Sequence, residues 1–324
     1  MKRALHLLAA ATAAAALGAA APAALAQAFP SRPITFVVPF AAGSATDQLA
    51  RALGQGVSAE SGQAVVVENK PGASGFIAAQ AVAKAAADGY TVLITTNTTH
   101  AANEHLYKKL PYDPVKDFAA ITLLGKGGQI MVVNPKLPVN SVSDFVALAR
   151  REPGKLTFGS GSSSSRIAGE LFQQMAGVKL IHVPYKSNPM AVTDLLGGQI
   201  DMMITDAATG LPQVKNGKLR ALGVSSAKRS PLAPEVPTIA EAGVKGYEMG
   251  YWFAAYAPAG TPAPAVARLE ELLVKAMRSP EAVTFYEKTG TEPVHSTPEA
   301  LAAFQRTEAQ KWGRIIEAAG IEAE

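Results

Sequence analysis

Short, continuous apolar runs alternate with segments of helical period along most of the chain. The run at 34–38 is β-branched and apolar, and Leu49, Ala52, Leu53 and Val57 share one face of a predicted helix at 47–60. A buried strand is predicted at 65–67, an Ala-rich helix at 74–87 and a third strand at 90–94. Strands at 130–133 and 156–158 follow, with helices at 141–151 and 165–176. Further strands are predicted at 179–183, 200–204 and 219–224, with residues 190–196 helical between the first two. The last third differs: a strand-like aromatic run at 251–256 precedes helices at 264–278 and 298–319. Short apolar strands alternating with helices are the pattern of parallel βαβ units.

Length and composition narrow this picture. A chain of 324 residues corresponds to about two domains at roughly 150 residues each. Pro/Gly clusters at 125–128 and 258–264 are the candidate crossovers. The expected organisation is an α/β protein of two lobes, each a mostly parallel sheet flanked by helices. The first lobe is discontinuous (27–126 plus 255–324) and the second is continuous (127–254). In open sheets ligands sit at the carboxyl ends of strands, so the loops after strands are the places to search. Hydrophobic residues make up 48 % and charged residues 17 %, outside the range of disordered chains. No cysteine is present, which excludes thiol nucleophiles, thiolate metal sites and disulfides.

The first 26 residues read as a targeting segment. Met1-Lys2-Arg3 is a basic start, an Ala/Leu-rich run follows, and Ala24-Leu25-Ala26 satisfies the small-x-small rule for cleavage after Ala26. The Ala-rich run is too weakly hydrophobic for a membrane anchor, and no later stretch reaches ~18 apolar residues. Removing Lys2 and Arg3 lowers the net charge of +4. The remaining basic residues form no stripe, so no nucleic-acid partner is expected. An exported chain without cysteine must hold itself together by packing, which suits a large periplasmic α/β core.

Catalytic signatures are mostly missing. There is no G-x-S-x-G, no phosphate-binding G-x-x-x-x-G-K-[ST] and no H-E-x-x-H. Ser225-x-x-Lys228 and Lys288-Thr289-Gly290 imitate two penicillin-recognising motifs, but the third element between them is absent and Ser225 follows a strand. His100 and His105 are five apart, off the i,i+4 spacing of helical metal ligands, and His182 ends an apolar strand. No metal or cofactor is expected.

What stands out is a set of small-residue loops between a strand and a helix. The first runs from Pro39 to Asp47, where Gly43 and Ser44 offer backbone N–H groups and a hydroxyl at a helix start. Asp47 pairs with Ser44 as a capping box would. The second is Asn97-Thr98-Thr99-His100. The third, from Gly159 to Arg166, is rich in Gly and Ser and enters a helix, the position of a hydroxyl-lined anion cradle. Arg166 lies in a helix's first turn, where the dipole opposes a cation, and a ligand carboxylate would explain it.

At these loops the sequence resembles the Bug-type periplasmic solute-binding receptors of tripartite tricarboxylate transporters. The matching stretches are Val38-Pro39-Phe40 with Gly43 and Thr46-Asp47, then Glu68-Asn69-Lys70-Pro71-Gly72-Ala73-Ser74-Gly75. Leu106-Tyr107-Lys108-Lys109-Leu110-Pro111-Tyr112-Asp113-Pro114, His182-Val183-Pro184-Tyr185-Lys186 and Ala257-Pro258-Ala259-Gly260-Thr261-Pro262 continue the likeness along the chain. The resemblance implies a two-lobed, type II-like binding protein closing on a small organic carboxylate and delivering it to membrane permease subunits. It implies first-lobe contacts from Phe40, Ala42, Gly43, Ser44, Thr46 and Asp47, with Thr98 and Thr99 nearby. Second-lobe contacts would come from Ser160, Ser162, Ser164, Ser165, Arg166, Tyr185 and Asp206.

The chain also departs from the family pattern. Ala41 and Ala42 replace prolines of the first loop, Ser44 replaces a glycine, and Arg166 stands where a histidine is usual. The shortened second-lobe loop with its arginine suggests a distal acidic group on the ligand, hence a dicarboxylate. Tyr251, Trp252, Phe253 and Tyr256 are expected to pack in the core; facing the cleft, they would instead favour an aromatic carboxylate. The expected protein is a monomeric, non-catalytic receptor. The alternatives are an exported serine hydrolase using the Ser-rich loop, with His100, His105 or His182 as base, and a sensor-associated binding protein.

Overall fold

The computed structural model describes residues 29–323, so the proposed signal peptide lies outside the described residues. From Arg32 onward the chain is one compact unit, built on a nine-stranded mixed sheet. Strand β1 (Ile34–Val38) lies between β2 (Val65–Asn69) and β3 (Thr91–Thr96), parallel to both. Its apolar run is buried because helix α1 (Ala45–Ser61) covers it with Leu49, Leu53 and Val57.

Two strands break the parallel pattern. β4 (Phe118–Val133) is 16 residues long, and β9 (Gly250–Pro258) inserts antiparallel between β3 and the first part of β4. The second part of β4 pairs antiparallel with β7 (Met202–Asp206) and β8 (Arg220–Val224). β5 (Thr157–Ser160) then lies parallel to β6 (Ile181–Pro184) and β7. The sheets are therefore mixed rather than mostly parallel. The reason is that β4 runs through both sets of pairings. Gly125–Gly128 continues the strand up to the point where β4 changes partners, with register shifts on either side of Leu123 that mark bulges.

Helices α2 (Phe76–Ala83) and α3 (Asn103–Leu106) belong to the β1–β3 side. The predicted helix at 74–87 is shorter than expected. A 3₁₀ turn at Ala73–Gly75, with Ser74 at φ 49°, starts it late. On the other side α4 (Val142–Arg151), α5 (Ser163–Ala176), α6 (Asn188–Gly197) and α7 (Ala207–Lys215) cover β5–β8. The chain ends with α8 (Ala263–Ala276), α9 (Pro280–Thr289) and α10 (Pro298–Ala318). Sequence patterning missed α7 and α9. The first carries Pro212 inside it, and the second is opened by Ser279-Pro280, a capped start with proline at the first helical position. Among the described residues no helix is long and apolar enough to cross a membrane.

Candidate functional site

Where β4 passes from one set of pairings to the other, strand ends and helix starts surround a narrow cavity of about 30 Å³. Phe40, Ser44, Ala45 and Thr46 line it from the β1–α1 loop and α1, and Gly161, Ser162 and Ser164 from the β5–α5 loop and α5. Thr96, Gln129, Asn188, Asp206, Tyr251 and Phe253 complete the lining.

Four helices start here: α1 with N-cap Ser44, α5 with Ser162, α6 with Ser187 and α7 with Asp206. Each helix start carries backbone N–H groups without an intrahelical partner and about half a positive charge. Converging helix starts favour an anion without any basic side chain.

The β1–α1 loop is held rigid by its own carboxylate. Asp47 accepts from Gly43 N at 2.8 Å, from Asn69 Nδ2 at 2.9 Å and from Arg51 Nε at 3.1 Å. Its own N–H donates to Ser44 Oγ at 3.3 Å, and Asn69 Nδ2 also donates to the Phe40 carbonyl at 2.9 Å. Asp47 is thereby consumed in shaping the loop and does not line the cavity. Ala42 and Gly43 are exposed and also outside the lining.

The β5–α5 loop is held by neutral groups. Ser162 and Ser165 form a capping box, each hydroxyl accepting from the other's N–H at 3.2 and 3.3 Å. Asn188 Oδ1 accepts from Gly161 N at 3.0 Å and from Ser165 Oγ at 3.2 Å, and its Nδ2 donates to Asp206 Oδ2 at 2.7 Å. Asp206 Oδ1 accepts from Thr209 N and Oγ1 at 2.9 and 2.7 Å, capping α7. One chain of hydrogen bonds thus ties three helix starts together.

Other expected contacts fall elsewhere. Thr98 and Thr99 sit in a π-helical turn (Thr98–Ala102), fully buried behind Thr96, whose Oγ1 accepts from Thr98 N at 3.2 Å. Thr99 Oγ1 is shared with Thr95 Oγ1 and His100 Nδ1 at 2.6 and 2.8 Å. Tyr185 donates to Asp194 Oδ2 at 2.8 Å, off the cavity, and burial followed by that carboxylate pushes its hydroxyl up to about 12. Arg166 does not line the cavity either. Its charge acts on Glu170 one turn along α5, where burial raises the carboxyl and first the Gln173 amide, then Arg166, oppose that rise. The distal acidic contact expected from Arg166 is therefore absent from the lining.

Ser160 and His182 do meet, Oγ to Nε2 at 2.7 Å. The serine is buried outside the lining and the imidazole is stacked on Phe158. A hydrolytic nucleophile would have to face the cavity.

Sequence reasoning missed Thr96, Gln129 and Asn188, and left Tyr251 and Phe253 in the core. The signal for the last two was present. Along β9 alternate residues take opposite faces, so Tyr251 and Phe253 share the cavity face while Trp252 and Tyr256 turn away. Tyr256 stacks on His100 at 3.8 Å between centroids, and Trp252 Nε1 donates to Glu308 Oε2 at 3.2 Å.

A mixed α/β sheet with helix starts gathered on a cavity at strand ends is the architecture of a periplasmic-type solute-binding protein. Residues 49–321 match the family of tripartite tricarboxylate transporter receptors, TctC. The chain is 35 % identical over 306 residues to protein BugT of Bordetella pertussis, covering 94 % of each. Among solved structures, R. palustris Rpa4515 with adipate superposes at TM-score 0.88 with 36 % identity, covering 91 % of this chain and 100 % of that one. The periplasmic binding protein BugD gives TM-score 0.87 and 33 % identity with the same coverage. The chain belongs to the tripartite tricarboxylate transporter receptor family, whose members are solute-binding receptors.

Proposed function

We propose that this protein is an exported receptor that captures a small carboxylate in the cavity and presents it to the permease of a tripartite tricarboxylate-type transporter. The observation that carries this reading is the convergence of four helix starts on one cavity. The adipate in Rpa4515 supports the ligand class. In this reading the first lobe holds residues 27–126 with the C-terminal part of the chain, and the second holds most of 127–254. The second crossing then falls within β9, where Gly250–Trp252 pair with β4 alone and pairing with β3 begins at Phe253. The lobes hinge where β4 and β9 pass between them and close over the ligand. The receptor acts as a monomer in the periplasm after cleavage at Ala26.

Thermal unfolding of the exported protein tests the ligand class. A carboxylate at 100 times its Kd adds about 2.7 kcal/mol, a shift of several degrees. Adipate and other carboxylates are compared with adipamide and other neutral solutes. Shifts confined to carboxylates are expected; shifts confined to neutral solutes would overturn the reading. Under the hydrolase alternative, activated esters would be turned over and Ser160→Ala would stop the turnover. No Ser160-dependent turnover is expected.

A further inference from the structure

We infer that the ligand is a single-ring aromatic acid with one carboxylate and a hydrogen-bonding ring substituent, a hydroxybenzoate-like anion rather than an aliphatic dicarboxylate. This rests on the carboxylate-receptor reading and names the substrate class of the same cavity. Three features of the lining carry it.

The first is an aromatic wall. Phe40, Tyr251 and Phe253 line the cavity and are each at most 6 % exposed. The Tyr251 and Phe253 rings lie 5.1 Å apart at 60°. The Tyr251 hydroxyl is bonded to Thr291 Oγ1 at 2.9 Å, so the residue offers its ring, not its hydroxyl, to the cavity. Aromatic rings prefer offset or edge-on partners, and three of them line this cavity.

The second is charge. No Lys, Arg or His lines the cavity, and Asp206 is its carboxylate. Asp47, at the start of α1, is balanced by Arg51 at 2.9 Å. Four helix starts supply about +2, and Asp206 reduces this to about +1. One ligand carboxylate completes the balance. A second would stand near Asp206 with no cation to match it.

The third is Gln129. Its backbone is pinned at both ends by Ser225, with Gln129 N donating to Ser225 Oγ at 2.7 Å and its carbonyl accepting from Ser225 N at 2.8 Å. The side chain lines the cavity, is 2 % exposed, and its Oε1 is buried without a hydrogen-bond partner. A buried amide left unpaired is unfavourable, so the ligand is the natural partner. A ring hydroxyl both donates and accepts, and therefore satisfies either orientation of the amide.

Calorimetric titration of the exported protein with the three hydroxybenzoate isomers, benzoate, cyclohexanecarboxylate, adipate, malate and benzamide tests the inference. At least one hydroxybenzoate should bind about tenfold or more tighter than adipate, malate and cyclohexanecarboxylate. Gln129→Leu should remove about tenfold of affinity for that isomer and change benzoate by less than about threefold. Adipate or malate binding tighter than every ring acid would overturn the inference and leave the carboxylate receptor standing. Benzamide binding as well as benzoate would bring down the receptor reading itself. Equal losses for benzoate and hydroxybenzoate in Gln129→Leu would remove Gln129 from specificity. Should that variant fail to fold, the ligand series on the unaltered protein still decides the ring and charge claims.

Discussion

The β1–α1 and β5–α5 loops both carry a strand end into a helix start at the same cavity, with opposite chemistry. The first is riveted by a buried carboxylate, Asp47, that serves Gly43, Asn69 and Arg51. The second is laced by hydroxyls and an amide, Ser162, Ser165 and Asn188, and reaches a carboxylate only at Asp206. Their glycines differ in the same spirit. Gly43 has open space around it but a φ of +81°, whereas a Cβ on Gly161 would lie 1.9 Å from the Ser187 carbonyl carbon. One loop depends on a backbone conformation, the other on the contact between two loops. The lesson is that Asp47, the charged residue with the strongest local signature, shapes its loop from outside the lining, while the β5–α5 loop turns neutral groups to the cavity.

Substitutions can break this contrast, and the largest effect belongs to Gly161→Ala. The new methyl meets backbone, so the β5–α5 loop and the start of α6 must separate. A loss of about 3 kcal/mol or more is expected in chemical denaturation, together with loss of carboxylate binding. Asp47→Ala leaves the Gly43 N–H without its acceptor and the Asn69 amide with the Phe40 carbonyl alone; a loss of about 2–3 kcal/mol is expected by the same measurement.

The turn after β3 adds a third member that responds to pH. Burial holds the His100 imidazole down to about 3. In the unfolded chain this group takes a proton below about 6.5, while the folded protein excludes it. Its contribution is therefore complete above pH 6.5 and is lost toward acid at about 1.4 kcal/mol per pH unit. Between pH 6.5 and 5 the unaltered protein should lose about 2 kcal/mol relative to His100→Phe, measured by denaturant titration at each pH.

Smaller effects sharpen the comparison. Gly43→Ala should cost about 1–2 kcal/mol through its left-handed backbone alone and lower the thermal midpoint with affinity largely kept. Arg166→Ala should change stability by about 0.5 kcal/mol or less, the size of an i,i+4 pair, with carboxylate affinity unchanged in titration. A large affinity loss confined to dicarboxylates would instead return Arg166 to the site.

Local signals made much of this molecule legible. Apolar runs at 34–38 and 200–204 became β1 and β7, the second two residues further on, and Ser44 with its capping partner Asp47 became a helix start. The Gly125–Gly128 stretch was singled out as a candidate crossover; that the chain passes there as a continuous strand, held by pairing with β9, was not legible in it. The β1–α1 and β5–α5 loops were both found, since strand-to-helix loops of small residues are visible in one dimension. Of the residues named there, Phe40, Ser44, Thr46, Ser162 and Ser164 line the cavity and Ala42, Gly43, Asp47, Ser165 and Arg166 do not, a division no local pattern showed.

The sequence alone determined most of the alternation of elements, the capped start of α1 and the family. All of these depend on side-chain period, capping and motif spacing within short windows. Tertiary structure decided what the cavity contains. Gln129 and Asp206 are far apart in the chain yet share one register position across β4 and β7. Tyr251 and Phe253 reach the lining because β9 inserts beside β4, while Arg166, whose charge acts on Glu170, stays outside it. Long-range strand pairing sets these positions, and no local pattern encodes its register.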